Sequence, residues 1–236
     1  MKQAPVIDFG SGRRANVAEL EEGDDVEAAL AELGVASGLP VLVIVGGAAS
    51  MEPEVRERSL VVLRDAVVPV CEQLGAAVID GGTAAGVMGV MGDAYEAAHA
   101  TFPLIGVAAA GTVRVPGNEV AAGGNVDLDP RHGHFLLVPG GEWGDESPWI
   151  VAAARAIAAQ ARVVALVVGG GDVTATDVRL LAAAGATVIA ITGTRGVADE
   201  LATTEPGTDR SPLADAISWR AVDRLRVVMS RALGSP

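Results

Sequence analysis

Residues 163–185 read V-V-A-L-V-V-G-G-G-D-V-T-A-T-D-V-R-L-L-A-A-A-G. Six apolar residues in succession, with no polar alternation, are the mark of a strand covered on both faces. Three glycines follow, and then a helical stretch. Thr174 and Asp177 have capping-box spacing, which predicts a helix over 174–184, and Gly185 stands where a C′ glycine ends one. Strand, glycine turn and helix together make one unit of a layered α/β domain.

The unit repeats outward along the chain. Apolar runs occur at Val41–Val45, Ala77–Asp80, Leu104–Ala109, Phe135–Val138 and Thr187–Ile191. Helices are predicted over 53–74, 84–99, 148–161 and 196–202. Ser147 and Pro148 form an N-cap and first-turn pair for the third of these. Such alternation implies an α/β fold with a mainly parallel sheet and right-handed crossovers. In the helix after Asp80, Gly86, Gly89 and Gly92 share a face, each costing up to about 1 kcal/mol against Ala. Close packing on the sheet explains them, or approach to a ligand, with Gly86 the best placed.

The division expected is an N-terminal extension over 1–39, packed on the core, and one domain over 40–236. In the extension, Pro5–Phe9 reads as an edge strand and Val26–Leu33 as an acidic amphipathic helix. Segment 112–133 is too long for a simple βα connection. With Pro116, Gly117, Gly123, Gly124, Asn125 and Pro130 it reads as a surface hairpin or flap that folds over a ligand. After a loop over 203–212, Leu213–Leu233 reads as one helix.

Composition narrows the function. Half of the 236 residues are hydrophobic, which excludes disorder, and the lone Cys71 excludes a disulfide scaffold. A net charge of −13 disfavours nucleic acid as a partner. The longest apolar runs are strand-sized, so no membrane span is expected. No basic stretch leads into an apolar run at the start, and a cytoplasmic protein is the expectation. Lys2 is the only lysine, which excludes a Walker-type phosphate loop. Three His and one Cys argue against a zinc site, and His132 and His134 point to opposite faces of an extended strand. No metal is expected.

Five strands end in glycine turns: Gly46-Gly47, Gly81-Gly82-Thr83, Gly140-Gly141, Gly169-Gly170-Gly171, and Gly193 with Gly196. In a parallel sheet these turns share the carboxyl edge, where ligands bind at the point of strand-order reversal. Glycines let main-chain amides approach a phosphate, and helix N-termini add favourable charge. Thr83, Thr174 and Thr194 add hydroxyls. Tight turns need glycine in any case, but five on one edge point to a phosphorylated or nucleotide-like ligand. Residues 81–86, G-G-T-A-A-G, are not the dinucleotide fingerprint.

Three segments carry a resemblance: V-I-D-G-G-T-A-A-G-V-M-G (78–89), H-G-H-F-L-L-V-P-G-G-E-W-G-D-E-S (132–147) and G-T-R-G-V-A-D-E-L-A (193–202). In this order they resemble the SLOG superfamily, and most closely its prokaryotic LSDAT branch, related to the N-terminal region of TRPM-type cation channels. V-I-V-G-G-A (43–48) matches the family's first strand and turn. The resemblance implies a Rossmann-like three-layer sandwich. It also implies a nucleotide-derived ligand, such as ADP-ribose, an NAD derivative or a nucleoside phosphate, and no required cofactor. Contacts would come from Gly46, Gly47, Gly81, Gly82, Thr83, Gly140, Gly141, Glu146, Gly193, Thr194 and Arg195. Gly86, Trp143 and Gly170 join this set from their own turns, with Trp143 able to stack on a base.

Pro139–Glu146 also resembles the signature P-G-G-x-G-T-x-x-E of LOG-type phosphoribohydrolases, with the glycine displaced by one and no threonine. That implies cleavage of an N-glycosidic bond, with Glu146 as catalytic carboxylate and Asp145 as the alternative. Both acids also suit a helix start as simple caps. Residues 167–202 resemble phosphosugar-binding modules as well. Binding, hydrolysis and sugar-phosphate recognition all stay open at this point. Assembly as a homodimer or higher oligomer is expected.

Overall fold

The computed structural model describes residues 5–10, 12–47, 51–117, 126–203 and 213–234. The apolar runs become β3 (Val41–Gly46), β4 (Ala77–Asp80), β5 (Leu104–Ala109), β8 (His134–Val138), β9 (Val163–Val168) and β10 (Thr187–Thr192). All lie in one sheet of nine strands, with β1 (Val6–Asp8) and β2 (Arg14–Glu19) at one end and β11 (Leu213–Ser218) at the other. The order is β1-β2-β8-β5-β4-β3-β9-β10-β11. Every neighbouring pair is parallel except β1 with β2. Burial on both faces is why these strands read as unbroken aliphatic runs.

One face is covered by α1 (Val26–Glu32), α5 (Ser147–Ala158), α6 (Asp172–Ala183) and α7 (Gly196–Thr203), the other by α2 (Pro53–Val62), α3 (Val68–Leu74), α4 (Gly86–Ala97) and α8 (Val222–Leu233). This is the Rossmann-like three-layer α/β sandwich. No described helix is long and apolar enough to cross a membrane.

Several local expectations are corrected. The tail is not one helix: L-A-D-A-I-S forms β11, parallel to β10, before α8 begins. Leu213 and Ile217 are buried there, and the open edge of β10 overrides the helix preference of alanine. The stretch over 53–74 is broken by a π-helical turn at Leu63–Val67. Pro69 has no N–H for the Asp65 carbonyl, and the Arg226 guanidinium donates to that oxygen instead (2.6 Å). Helix α6 starts earlier, behind Gly171, so Thr174 and Asp177 form no capping box. Ser147 is the first residue of α5, not its cap, which is Glu146. Within 112–133, β6 (Val113–Arg114) and β7 (Val126–Asp127) pair in parallel, not as a hairpin. Gly123, Gly124, Asn125 and most of the 203–212 loop lie outside the described residues.

Candidate functional site

Successive strands run β3, β4, β5, β8 toward one end of the sheet, and then β9, β10, β11 toward the other. Strand order therefore reverses between β3 and β9, and the loops leaving these two strands part there. A cleft of about 450 Å³ opens at this place. Ile44, Val45, Gly46 and Gly47 of the β3 end line it, with Gly81 after β4 and Met88 of α4. The opposite wall is Trp143, Glu146 and Ile150 around the start of α5, and Gly171 to Thr174 with Asp177 on α6. Val126 of β7 reaches the same space. At Gly46 a Cβ would stand 2.3 Å from the Val168 carbonyl oxygen, so β3 and β9 stay close only without a side chain there.

Of the three carboxylates that line the cleft, Asp172 is exposed, and Glu146 and Asp177 are each only 8% exposed. Glu146 caps α5 and accepts from the Gly144 amide at 3.0 Å. Burial pushes its pKa up, amides of its own loop oppose this, and the Asp145 charge adds to the rise. Asp177 accepts from the Ser147 hydroxyl at 2.5 Å. Burial pushes its pKa from 3.8 up to about 6; the Ser147 bond works against that rise and the Glu146 charge adds to it.

The other glycine turns are differently occupied. Asp145 accepts from the amides of Gly141 and Glu142, at 2.9 and 3.0 Å. Asp199 does the same for Gly193 and Arg195, at 2.6 and 2.9 Å. The chain's own acids thus fill the amide nests at two of the turns expected to hold a phosphate. Thr194 is a strut: its Oγ1 accepts from Gly169 N (2.9 Å) and donates to the Ile191 carbonyl (2.6 Å). Arg195 is exposed and pairs with Glu52.

Gly82, at φ +67°, packs against Gly106 and Phe135, and Thr83 is fully buried. Gly140 backs onto Asp145, and Gly170 onto Thr174. Gly86 lines a separate polar recess of about 270 Å³ with Arg56, Asp93 and Arg131. Among the expected contact residues, the cleft brings together Gly46, Gly47, Gly81, Trp143 and Glu146, and not the other nine.

Sequence reasoning missed Asp177 and Ser147 as a site pair, treating both as caps. The available signal was an acid one and a half turns into the helix after the central glycine turn. It also missed a fully buried pair beneath the β4 turn, His132 Nε2 to Asp80 Oδ1 at 2.8 Å. Burial alone would push this imidazole's pKa down; Asp80, helped by Asp129, outweighs that and raises it. Asp80 also accepts from Gly82 N, which fixes the turn.

A model of the family described as SLOG in TRPM, prokaryote, matches residues 39–230. The chain belongs to this family. Its SLOG region thus takes in the whole sheet except β1 and β2, together with every cleft residue named above. No curated protein matches the chain. A solved structure titled as that of TM1055, a Northeast Structural Genomics Consortium target, shares 18% identity over 81% of this chain and 99% of that one, with a TM-score of 0.57. At that identity the likeness shows the shared fold.

Proposed function

We propose that this SLOG-family protein binds a nucleotide-derived small molecule, of the ADP-ribose, NAD or nucleoside phosphate class, in the cleft between β3 and β9. The observation that carries the reading is the cleft itself. It has ligand size, sits at the strand-order reversal, is mainly apolar, and has a 40% exposed Trp143 on its rim. Family membership supports the same class of ligand. Calorimetric titration with ADP-ribose, NAD, cyclic ADP-ribose isomers and nucleoside monophosphates tests it, with sugar phosphates as controls. The expected result is saturable heat from at least one nucleotide derivative. Silence from all of them, with folded protein, refutes the reading.

A second reading is favoured by the carboxylate pair. Glu146 and Asp177 are buried beside the ligand space with pKa values pushed up. A carboxylic acid of this kind can protonate a leaving base, and a carboxylate can stabilise an oxocarbenium-like state or activate water. Hydrolysis of an N-glycosidic bond would release free base, seen by chromatography and abolished in Glu146→Gln. Intact nucleotide leaves binding as the function.

A further inference from the structure

The cleft's charged residues are of one sign. Glu146, Asp172 and Asp177 line it, with no Arg, Lys or His among its described lining residues. An ionised carboxylate only accepts hydrogen bonds. One oxygen of Asp177 takes the Ser147 hydroxyl, and the other has no hydrogen-bond partner among the described residues, although the residue is 8% exposed. Glu146 is equally buried. In two other glycine turns the amides of Gly141, Glu142, Gly193 and Arg195 are committed to Asp145 and Asp199. Arg56 and Arg131 line the separate recess, and both pair with Asp93. A dianionic phosphate placed in this cleft would meet like charge and find no cation.

Resting on the cleft as the ligand site, we propose that it takes the ribose and base of the ligand, with Glu146 and Asp177 accepting from the ribose hydroxyls, and that the phosphate stays outside. A sugar diol supplies donors for the carboxylate oxygens left free among the described residues, one oxygen on each side chain being already bonded, to the Gly144 amide or the Ser147 hydroxyl. An acidic side chain on a ribose hydroxyl is an established means of sugar recognition in dinucleotide-binding folds, there from a different strand. Trp143 offers an aromatic face to the base.

The surroundings of Asp177 leave this charge pattern intact. Strands β3, β9 and β10, packed against α6, carry no titratable residue. From α5 come Glu146 at its cap and the exposed Arg155 in its last turn. From α7 come Asp199, bound to its own loop, and Glu200. On α6 itself stand Asp172 and the exposed Arg179, which bonds to Thr176. With its pKa near 6, Asp177 grips as an anion above that pH and loses this acceptor below it.

The test is calorimetric titration of the full chain with adenosine, adenosine 5′-monophosphate, 2′,3′-dideoxyadenosine and inorganic phosphate. Adenosine is expected to bind, and the monophosphate to bind no tighter. The dideoxy analogue should bind about tenfold or more weakly, the worth of a hydrogen bond to a charged group. Inorganic phosphate should not compete. Asp177→Asn should weaken adenosine by a similar factor at pH 7.5 and flatten the loss of affinity seen in the wild type between pH 7 and 5. Equal affinity for adenosine and its dideoxy analogue overturns the proposal, as does tighter phosphate or monophosphate binding in Asp177→Asn. Those results would leave the cleft as a nucleotide site; failure of all four probes together with NAD and ADP-ribose would remove that as well. The comparison of adenosine with its dideoxy analogue needs no variant and stands even if Asp177→Asn fails to fold.

Discussion

Replacing Asp177 by Asn should stabilise the unliganded protein at neutral pH and leave it unchanged in acid. Asn keeps an acceptor for the Ser147 hydroxyl and removes only the charge. The folded protein holds the Asp177 carboxyl at a pKa of about 6, against an ordinary 3.8. Each pKa unit corresponds to about 1.4 kcal/mol, so ionising this group in place costs the fold about 3 kcal/mol. The folded value lies above the unfolded one. Its contribution is therefore whole below the ordinary carboxylate range and is lost as pH rises through about 6. For a chain of this length 1 kcal/mol moves Tm by about 2–4 °C. Melting of the two proteins by circular dichroism should diverge from no difference near pH 4 to about 6–12 °C at pH 7.5, the variant melting higher. A constant gap across that range, or a variant that melts lower throughout, would refute the reasoning. The gain in stability should come with a loss of nucleoside affinity, since a site built around a strained group trades one for the other.

His132→Ala leaves the fully buried Asp80 carboxylate with the Gly82 amide alone. It should cost about 3–5 kcal/mol in urea unfolding. Because the folded imidazole pKa is raised, the deficit should be full below the ordinary histidine value and shrink as pH climbs past the raised one. Gly46→Ala drives a Cβ to 2.3 Å from the Val168 oxygen and should lower stability by at least about 2 kcal/mol, whereas Gly47→Ala, whose nearest neighbour is at 3.9 Å, should melt almost as the wild type. Thr194→Ala unties the Gly169 amide and should cost about 1–3 kcal/mol while leaving adenosine affinity unchanged. Lost affinity at unchanged Tm would instead make Thr194 a ligand contact.

The central strands were legible because burial on both faces leaves only one kind of residue to write. Val163–Val168 or Val41–Val45 admits no other reading once followed by glycines. The outer strands were not: R-A-N-V-A-E and L-A-D-A-I-S bury only alternate side chains and rely on neighbours distant in sequence, β8 for the one and β10 for the other. Helix starts shifted for a related reason. Thr174 and Asp177 have the right spacing for a cap, but spacing does not reveal that α6 already begins behind Gly171 or that Ser147 comes within reach of Asp177 from α5. The edge of the sheet on which the cleft opens could be read from strand alternation and glycine turns together, but not the two strands it lies between. Nor could the cleft's polarity, because that depends on which acid falls into which turn.

The same side chain has opposite consequences on this edge according to the donors around it. Asp145 and Asp199 each gather two main-chain amides and make their turns self-contained. Helix N-termini at α5 and α6 also border the cleft, and each would ordinarily attract an anion. Each carries an acid close by, Glu146 at the cap position of α5 and the exposed Asp172 in the first turn of α6, although neither side chain bonds to the amides of its helix. A ligand phosphate would meet the like charge of these carboxylates, whereas hydroxyl and amide donors would bond to them. Asp177 sharpens the distinction, since it is buried with one hydroxyl where a carboxylate can accept several hydrogen bonds. Burial chiefly raises its pKa, the Ser147 bond lowers it, and a further bound donor should lower it again. The Asp177 carboxyl resonance, followed by NMR across a pH titration, should therefore shift its midpoint downward when adenosine is present; an unmoved midpoint at saturation would place the sugar elsewhere.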